Sequence, residues 1–222
     1  YITTDFSESQ IELITPPFKN KTKTTQFLDD VHNFVLSNIK DETLWPFSMP
    51  PIIKSESDIP IADYGSSSIG VFKKTYRKGL SHRYGRYMQA ISGIHYNYSL
   101  PDAIWDSFIK EGNISEINNI KSKNYFCMLR NIIRMNWILL YLFGASPAIT
   151  KNFLPNSKNN FIKLDDQTYY SPYATSLRMS DIGYQNFHRQ KIDVSLDSVE
   201  KYINDLRKAS QTPSEEFKKI GL

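Results

Sequence analysis

The 222 residues include one cysteine, Cys127, which excludes an internal disulfide framework and any zinc site built on cysteines. Histidine is scarce as well. His32, His82, His95 and His188 show no HxxxH or HxH spacing, which argues against a zinc hydrolase. The sequence has no GxGxxG, GxSxG or HExxH. Gly65-Ser66-Ser67-Ser68-Ile69-Gly70 is spaced like a phosphate loop, but Val71 and Phe72 follow where lysine and serine or threonine are needed. Long uncharged apolar runs are missing too. The longest candidate, YFCMLRNIIRMNWILLYLFGASPA, carries Arg130, Asn131, Arg134 and Asn136, whereas a membrane span needs ~20 apolar residues with few or no charges. It predicts a helix buried on most sides, with Cys127, Met128 and Trp137 in the core. No signal-peptide pattern is visible, so the expectation is a reduced, cytoplasmic protein without a membrane anchor.

Hydrophobic residues make up 40% of the chain and aromatics 14%, a composition that folds. The net charge of +4 is spread along the sequence and reads as a solvated mixed surface. One local excess, Lys73, Lys74, Arg77, Lys78, Arg83 and Arg86, could face phosphate on a nucleotide or a nucleic acid.

ITTDF and QIELIT read as two short strands around a polar break at Ser7 to Ser9. TTQFLDDVHNFVLSNIK puts Phe27, Val31, Phe34 and Val35 on one helical stripe. The stretch from Trp45 to Tyr64 is rich in proline and predicts an irregular excursion. RYMQAISGIHYNYSLP reads as a strand. Met88, Ala90, Ile94, Tyr96 and Tyr98 form its core face, and Gln89, Ile91, Gly93, His95 and Asn97 the other. Gln, Gly, His and Asn suit the floor of a site, and a solvated outer face is the competing explanation at even odds. FGASPA predicts a tight turn with Gly144 left-handed before Pro147. SLDSVEKYINDLRKAS predicts a closing helix with Leu196, Val199, Ile203 and Leu206 on one stripe, capped by Ser195. Without strict βαβ alternation, an internal repeat or a linker, the pattern is α+β with a largely antiparallel sheet, in one domain.

The candidates for chemistry are acidic residues near the front and one histidine. Asp5 should face away from Ile2, Thr4 and Phe6, and Glu12 interrupts an apolar strand. Carboxylates in apolar strands are costly unless paired or metal-bound. On pattern alone, exposure along an edge strand explains them slightly better. Clustered carboxylates suit magnesium, and a histidine beside them would favour manganese.

ITTDFSESQIELITPP, ETLWPFSMPP, YRKGLSHRYGRYMQAISGIHYNYSLP, YLFGASPA, YATSLRMSDIGYQN and TPSEEFKKIG together resemble the glutamate–cysteine ligases (γ-glutamylcysteine synthetases) of proteobacterial type. The resemblance runs in order from Tyr1 to Leu222 and covers somewhat under half of the family's chain. It implies that residues 1–222 are part of a single catalytic domain, without the N-terminal and C-terminal portions that complete it. A start on YITTDFSES, inside a strand and without methionine, fits that expectation, as does inactivity of these residues by themselves. The fold implied is related to glutamine synthetase: an antiparallel sheet curved into a funnel, with helices packed outside.

The activity implied is ATP-dependent ligation of the γ-carboxylate of L-glutamate to the amino group of L-cysteine through γ-glutamyl phosphate. Mg2+ (or Mn2+) and ATP are the expected cofactor and co-substrate, in a monomer that binds no nucleic acid. By that resemblance Asp5, Glu12 and His95 match metal-binding positions, while Glu8 stays unassigned. Arg77 matches a clamp on the transferred phosphoryl group, and Asn97 a hydrogen-bonding partner of substrate or phosphate. Phe6, Tyr76, Leu80, Gln89 and Tyr184 match a pocket for cysteine, with Arg178 pairing its carboxylate. Two alternatives remain: a ligase joining glutamate to another amine, and, far behind, a nucleic-acid-binding module built on Lys73 to Arg86.

Overall fold

A computed structural model of the chain describes residues 1–107, 114–144, 147–154, 161–180, 183 and 193–222. The first two strands, β1 (Ile2–Thr4) and β2 (Ile11–Leu13), form an antiparallel hairpin, pairing Ile2 with Leu13, Thr3 with Glu12 and Thr4 with Ile11. The Asp5 N–H donates to Gln10 O at 2.8 Å and carries the pairing toward the turn. Helix α1 (Lys21–Asn38) starts three residues before the predicted stretch, because the Asn20 side chain accepts from the Thr22 and Lys23 N–H groups and caps it there. Its ring Phe27 packs edge-on against Tyr1 at 4.9 Å, and Val35 is buried. Phe34, expected on the same stripe, is 61% exposed.

The proline-rich excursion is irregular apart from a 3-10 turn at Glu56–Asp58. It returns to the hairpin through a bridge between Ser7 and Ile61. Helix α2 (Ser68–Tyr84) holds the basic segment, and Ser67 caps it by accepting from the Gly70 N–H. Gly85, with φ +79°, breaks the helix, and a single turn, α3 (Arg86–Gln89), follows at once.

The strand predicted for RYMQAISGIHYNYSLP is therefore not formed. Residues 86–89 are helical, and 92–99 are irregular. The core is split accordingly. Met88, Ala90 and Ile91 are buried, while Ile94, Tyr96 and Tyr98 are 98%, 75% and 66% exposed. A strand needs a neighbour to take its backbone groups, and here other partners take them. The Ser92 N–H donates to Ser48 O, and the Gln10 side-chain amide reaches the carbonyls of Gln89 and Ala90. Period-2 alternation was present, but among the described residues this segment pairs with no strand.

Two buried clusters hold this half together. Phe6, Ile59 and Ala90 form one, and Met88, Ile91, Ile149 and Phe153 the other, with Tyr87 and Ile53 packed against both. Ile149 belongs to the second sheet, which is antiparallel in the order β3 (Ala148–Thr150), β5 (Thr168–Tyr170), β4 (Ile162–Lys163). Phe153 lies in a 3-10 turn, Lys151–Phe153, that follows β3. Helices and small antiparallel sheets make the chain α+β, as its pattern implied.

The long apolar helix is present as α5 (Ile114–Phe143), preceded by α4 (Asp102–Asp106). Its burial differs from expectation. Trp137 is 65% exposed, Phe143 76%, and Cys127 is exposed, while Met128 is half-buried. Among the described residues α5 packs mainly on α4, through Trp105 and Tyr125, and on α6 (Val199–Gln211), through Phe126 and Tyr202. Apolar composition states that a helix wants cover, not that these residues supply it.

Two smaller expectations also change. Gly144 does not take a positive φ; a Cβ there would collide with the carbonyl oxygens of Leu140 and Thr175, so close backbone approach explains the glycine. The cap of α6 is Ser198, whose side chain accepts from the Lys201 N–H, not Ser195. Helix α7 (Glu215–Lys219) closes the chain and returns to α2, where Phe217 meets His82 edge-on at 5.6 Å.

Candidate functional site

The hairpin register decides which side chains share a face. Glu12 pairs with Thr3, and Asp5 lies two residues along the same strand, so Asp5 and Glu12 project from one face. The opposite face carries Phe6, 2% exposed, into the cluster with Ile59 and Ala90. Burial of Phe6 thus fixes the direction of Asp5. Both carboxylates are half-buried, and neither has an ion-pair partner among the described residues.

Arg77 reaches the end of β1 from the middle of α2. Its Nε donates to Asp5 O at 2.5 Å and its Nη1 to Lys73 O at 3.2 Å, one helical turn back. The guanidinium lies over the Tyr64 ring, 4.6 Å from the centroid, and the Lys73 ammonium approaches the same ring at 4.8 Å. The Tyr64 hydroxyl donates toward Thr4 O and Asp5 O at 2.5 and 2.9 Å. Sequence reasoning missed Tyr64. Its only signal was an aromatic residue immediately before the glycine that opens the basic segment.

Glu8 is engaged elsewhere. Its Oε1 accepts from the Asp63 N–H at 2.5 Å. Asp63 in turn accepts from Lys74 and from the Gly65 N–H. The Lys74 hydrogen bond, followed by the one from Gly65, holds the Asp63 carboxyl below its ordinary range. Gln10, at the hairpin turn, donates to Ser92 Oγ at 3.1 Å and links the hairpin to the chain that enters Gly93 and His95.

Several of the residues assigned to a cysteine pocket come together. Phe6 and Leu80 pack in one cluster with Ala90, beside Gln89, which is 4% exposed. Tyr76 stands one turn before Leu80 on α2 and is 57% exposed. Arg178, in a 3-10 turn at Leu177–Met179, reaches the Gly93–His95 segment: a Cβ on Gly93 would lie 3.2 Å from Arg178 Nη1 and 3.8 Å from His95 Nε2. His95 and Asn97 are exposed on the irregular segment. Tyr184 lies outside the described residues.

Among the described residues no three of His, Cys, Asp and Glu converge on one point. Asp5 and Glu12 nevertheless offer hard oxygen donors without a competing cation. That suits Mg2+, which takes one or two carboxylates and completes its shell with water and substrate phosphates. Thus the residues present fit a share of such a site. The arrangement joins a carboxylate face, a fixed guanidinium and an adjacent packed cluster of apolar side chains.

A profile described as glutamate-cysteine ligase matches residues 1–222. The glutamate–cysteine ligases of Alcanivorax borkumensis and Pseudomonas putida strain KT2440 are 46% and 47% identical to this chain, covering 100% and 99% of it and 42% of each relative. Among solved structures, the glutamate–cysteine ligase of Francisella tularensis in complex with AMP superposes with a TM-score of 0.86 at 39% identity, over 100% of this chain and 43% of that one. A bifunctional glutathione synthetase from Pasteurella multocida gives 0.73 at 32%, over 97% and 27%. The chain therefore spans under half the length of the curated relatives it matches, and by its full-length profile match and these identities it belongs to the glutamate–cysteine ligase family.

Proposed function

We propose that these residues form part of the catalytic domain of an enzyme that ligates the γ-carboxylate of L-glutamate to the amino group of L-cysteine at the expense of ATP. The observation that carries this reading is the junction of Arg77 with the Asp5 carbonyl, beside the face bearing Asp5 and Glu12, in a chain of this family. AMP in the Francisella relative supports a nucleotide at the homologous enzyme's site.

The chemistry explains why such a face is needed. A carboxylate does not acylate an amine at neutral pH, because oxide would have to leave. Transfer of the γ-phosphoryl group gives γ-glutamyl phosphate, from which phosphate leaves when the amine attacks. Two anions must first meet, and bound Mg2+ or Mn2+ would offset their repulsion. Asp5 and Glu12 would hold that ion, with His95 and groups outside these residues completing the set. Arg77, already fixed at Nε and Nη1, would present its remaining N–H groups to the transferred phosphoryl oxygens. Asn97 would donate to substrate or phosphate. Phe6, Tyr76, Leu80, Gln89 and Tyr184 would enclose the cysteine side chain, and Arg178 would pair with its carboxylate. The finer architecture in this reading is the glutamine synthetase-like funnel, in a cytoplasmic monomer without a nucleic-acid partner.

The test uses the full-length ligase containing these residues, with γ-glutamylcysteine measured by mass spectrometry. Asp5→Asn and Glu12→Gln should each lower turnover by about 100-fold or more at saturating Mg2+. Near-normal turnover of either variant sinks the metal assignment. Preference for another amine over cysteine in product analysis would redirect the substrate.

A further inference from the structure

Tyr64 takes no part in the chemistry described above, yet it touches each component that brings Arg77 to the hairpin. Its hydroxyl lies 2.5 Å from Thr4 O and 2.9 Å from Asp5 O, at the end of β1. Its ring carries Arg77 at 4.6 Å and Lys73 at 4.8 Å, both from α2. Arg77 then closes the triangle through its bond to the same Asp5 carbonyl. Two local features fix the tyrosine itself. Gly65 turns the chain with φ +78°, and Gly70 lets the first turn of α2 lie so close that a Cβ there would be 2.5 Å from Tyr64 O.

We infer that Tyr64 is a positioning residue: its ring holds Arg77 and Lys73 as a pair of cations for the anionic oxygens of the nucleotide's terminal phosphate, and its hydroxyl only adds a hydrogen bond to the end of β1. Arg77 is held at Nε, at Nη1 and across one face, and among the described residues its Nη2 has no protein acceptor. A guanidinium restrained in this way loses little freedom when an anion arrives. Two cations within 4–5 Å of one ring centroid are each attracted by its quadrupole, and a bound anion offsets what repulsion remains between them. An anion with several oxygens, such as a phosphate, is the ligand class that two adjacent cations and a two-donor edge recognise.

This inference rests on the ATP-dependent reading above, so the experiment has two independent arms in the full-length ligase. In the first, Tyr64→Leu should lower kcat about tenfold while the cysteine KM moves less than about threefold, and Tyr64→Phe, which keeps the ring, should retain most of kcat. Adding Tyr64→Leu to Arg77→Gln should cause a further loss of less than about threefold, from Lys73 alone, because Tyr64 acts mainly through Arg77. A full additional tenfold loss in the double variant, or an unchanged kcat in Tyr64→Leu, overturns the proposal. The second arm needs no turnover. Calorimetric affinities for ATP and AMP should differ in the wild type, and Tyr64→Leu should shrink that ratio by about fivefold or more. An unchanged ratio overturns the proposal even if the ligase makes a different product, whereas a reduced ratio without γ-glutamylcysteine formation upholds Tyr64 and refutes the substrate reading. Tyr64→Phe, folding with the ring intact, should leave the ratio within about twofold of wild type, so a collapse in that variant also overturns the cation role.

Discussion

Gly93 is where Arg178 and His95, distant in sequence, come within reach of one another. A methyl group there would sit 3.2 Å from Arg178 Nη1 and 3.8 Å from His95 Nε2, closer to the arginine than side chains normally tolerate. In the full-length ligase, Arg178→Ala should raise the cysteine KM by about tenfold or more and leave the ATP KM within about threefold. Gly93→Ala should shift the same constant in the same direction by a smaller factor, since it displaces the guanidinium without removing it. Equal effects on both substrates in steady-state kinetics would take Arg178 out of the cysteine site. At this scale the sequence marked Asp5 and Glu12 only as carboxylates in apolar strands, for which an exposed edge was the slightly better explanation, and Arg178 as a lone arginine in a loop rich in tyrosine, serine and threonine. It did not mark Tyr64, because a tyrosine's worth depends on what stands above its ring.

The start of α2 is the element on which this geometry depends. Gly70 faces the Tyr64 and Gly65 carbonyl oxygens at 2.5 and 2.7 Å from a notional Cβ, too close for any side chain to share. Gly70→Ala should therefore destabilise the protein by about 1–3 kcal/mol through forced backbone movement, measured by denaturant unfolding. By contrast, Asn20→Ala at the exposed cap of α1 should cost about 1 kcal/mol and leave the site unchanged. The turn before α2 also responds to pH. Asp63 is held below its ordinary range by Lys74 and the Gly65 N–H, so the unfolded chain binds the proton first on acidification. Its stabilisation is complete above the ordinary carboxylate range and is lost as pH falls through the lowered folded value. Protection of the Gly65 amide against hydrogen exchange, corrected for intrinsic rate, should stay constant from about pH 8 to 5 and fall below about pH 4. A loss beginning near neutrality would contradict that ordering.

Across the whole molecule the conspicuous feature is α5. Its segment Asn118–Phe143 is long and apolar enough to cross a membrane by length and composition alone, with a mean hydropathy of 1.2. Arg130 and Arg134 interrupt it, and Arg130 donates to Leu196 O at 2.6 Å as part of its packing on the chain before α6. Trp137, Tyr141, Leu142 and Phe143 are each at least 60% exposed. The curated relatives extend over more than twice the length of this chain. Residues 1–222 by themselves should elute above monomer mass in size-exclusion chromatography, and Ile133→Glu with Trp137→Glu should shift them toward it. They should also form γ-glutamylcysteine at least about 100-fold more slowly than the full-length ligase, because their share of the metal site is partial. A monodisperse, active preparation of the short chain would refute both expectations.

The sequence by itself determined which groups are available, carboxylates near the front and a basic segment after Tyr64, together with the α+β class and a family resemblance that its relatives bear out. Local signals also fixed α1 and the hairpin, because short-range periodicity acts within a few residues, while the helix α2 in the basic segment was not read from the sequence. Tertiary structure alone decided the rest. It turned the expected strand after Arg86 into one helical turn and an exposed irregular segment, since alternation cannot supply a partner edge. It left α5 uncovered, since apolarity does not name what buries it. And it brought Tyr64 beneath Arg77 and Lys73 against the end of β1, a meeting that depends on a fold and not on any spacing.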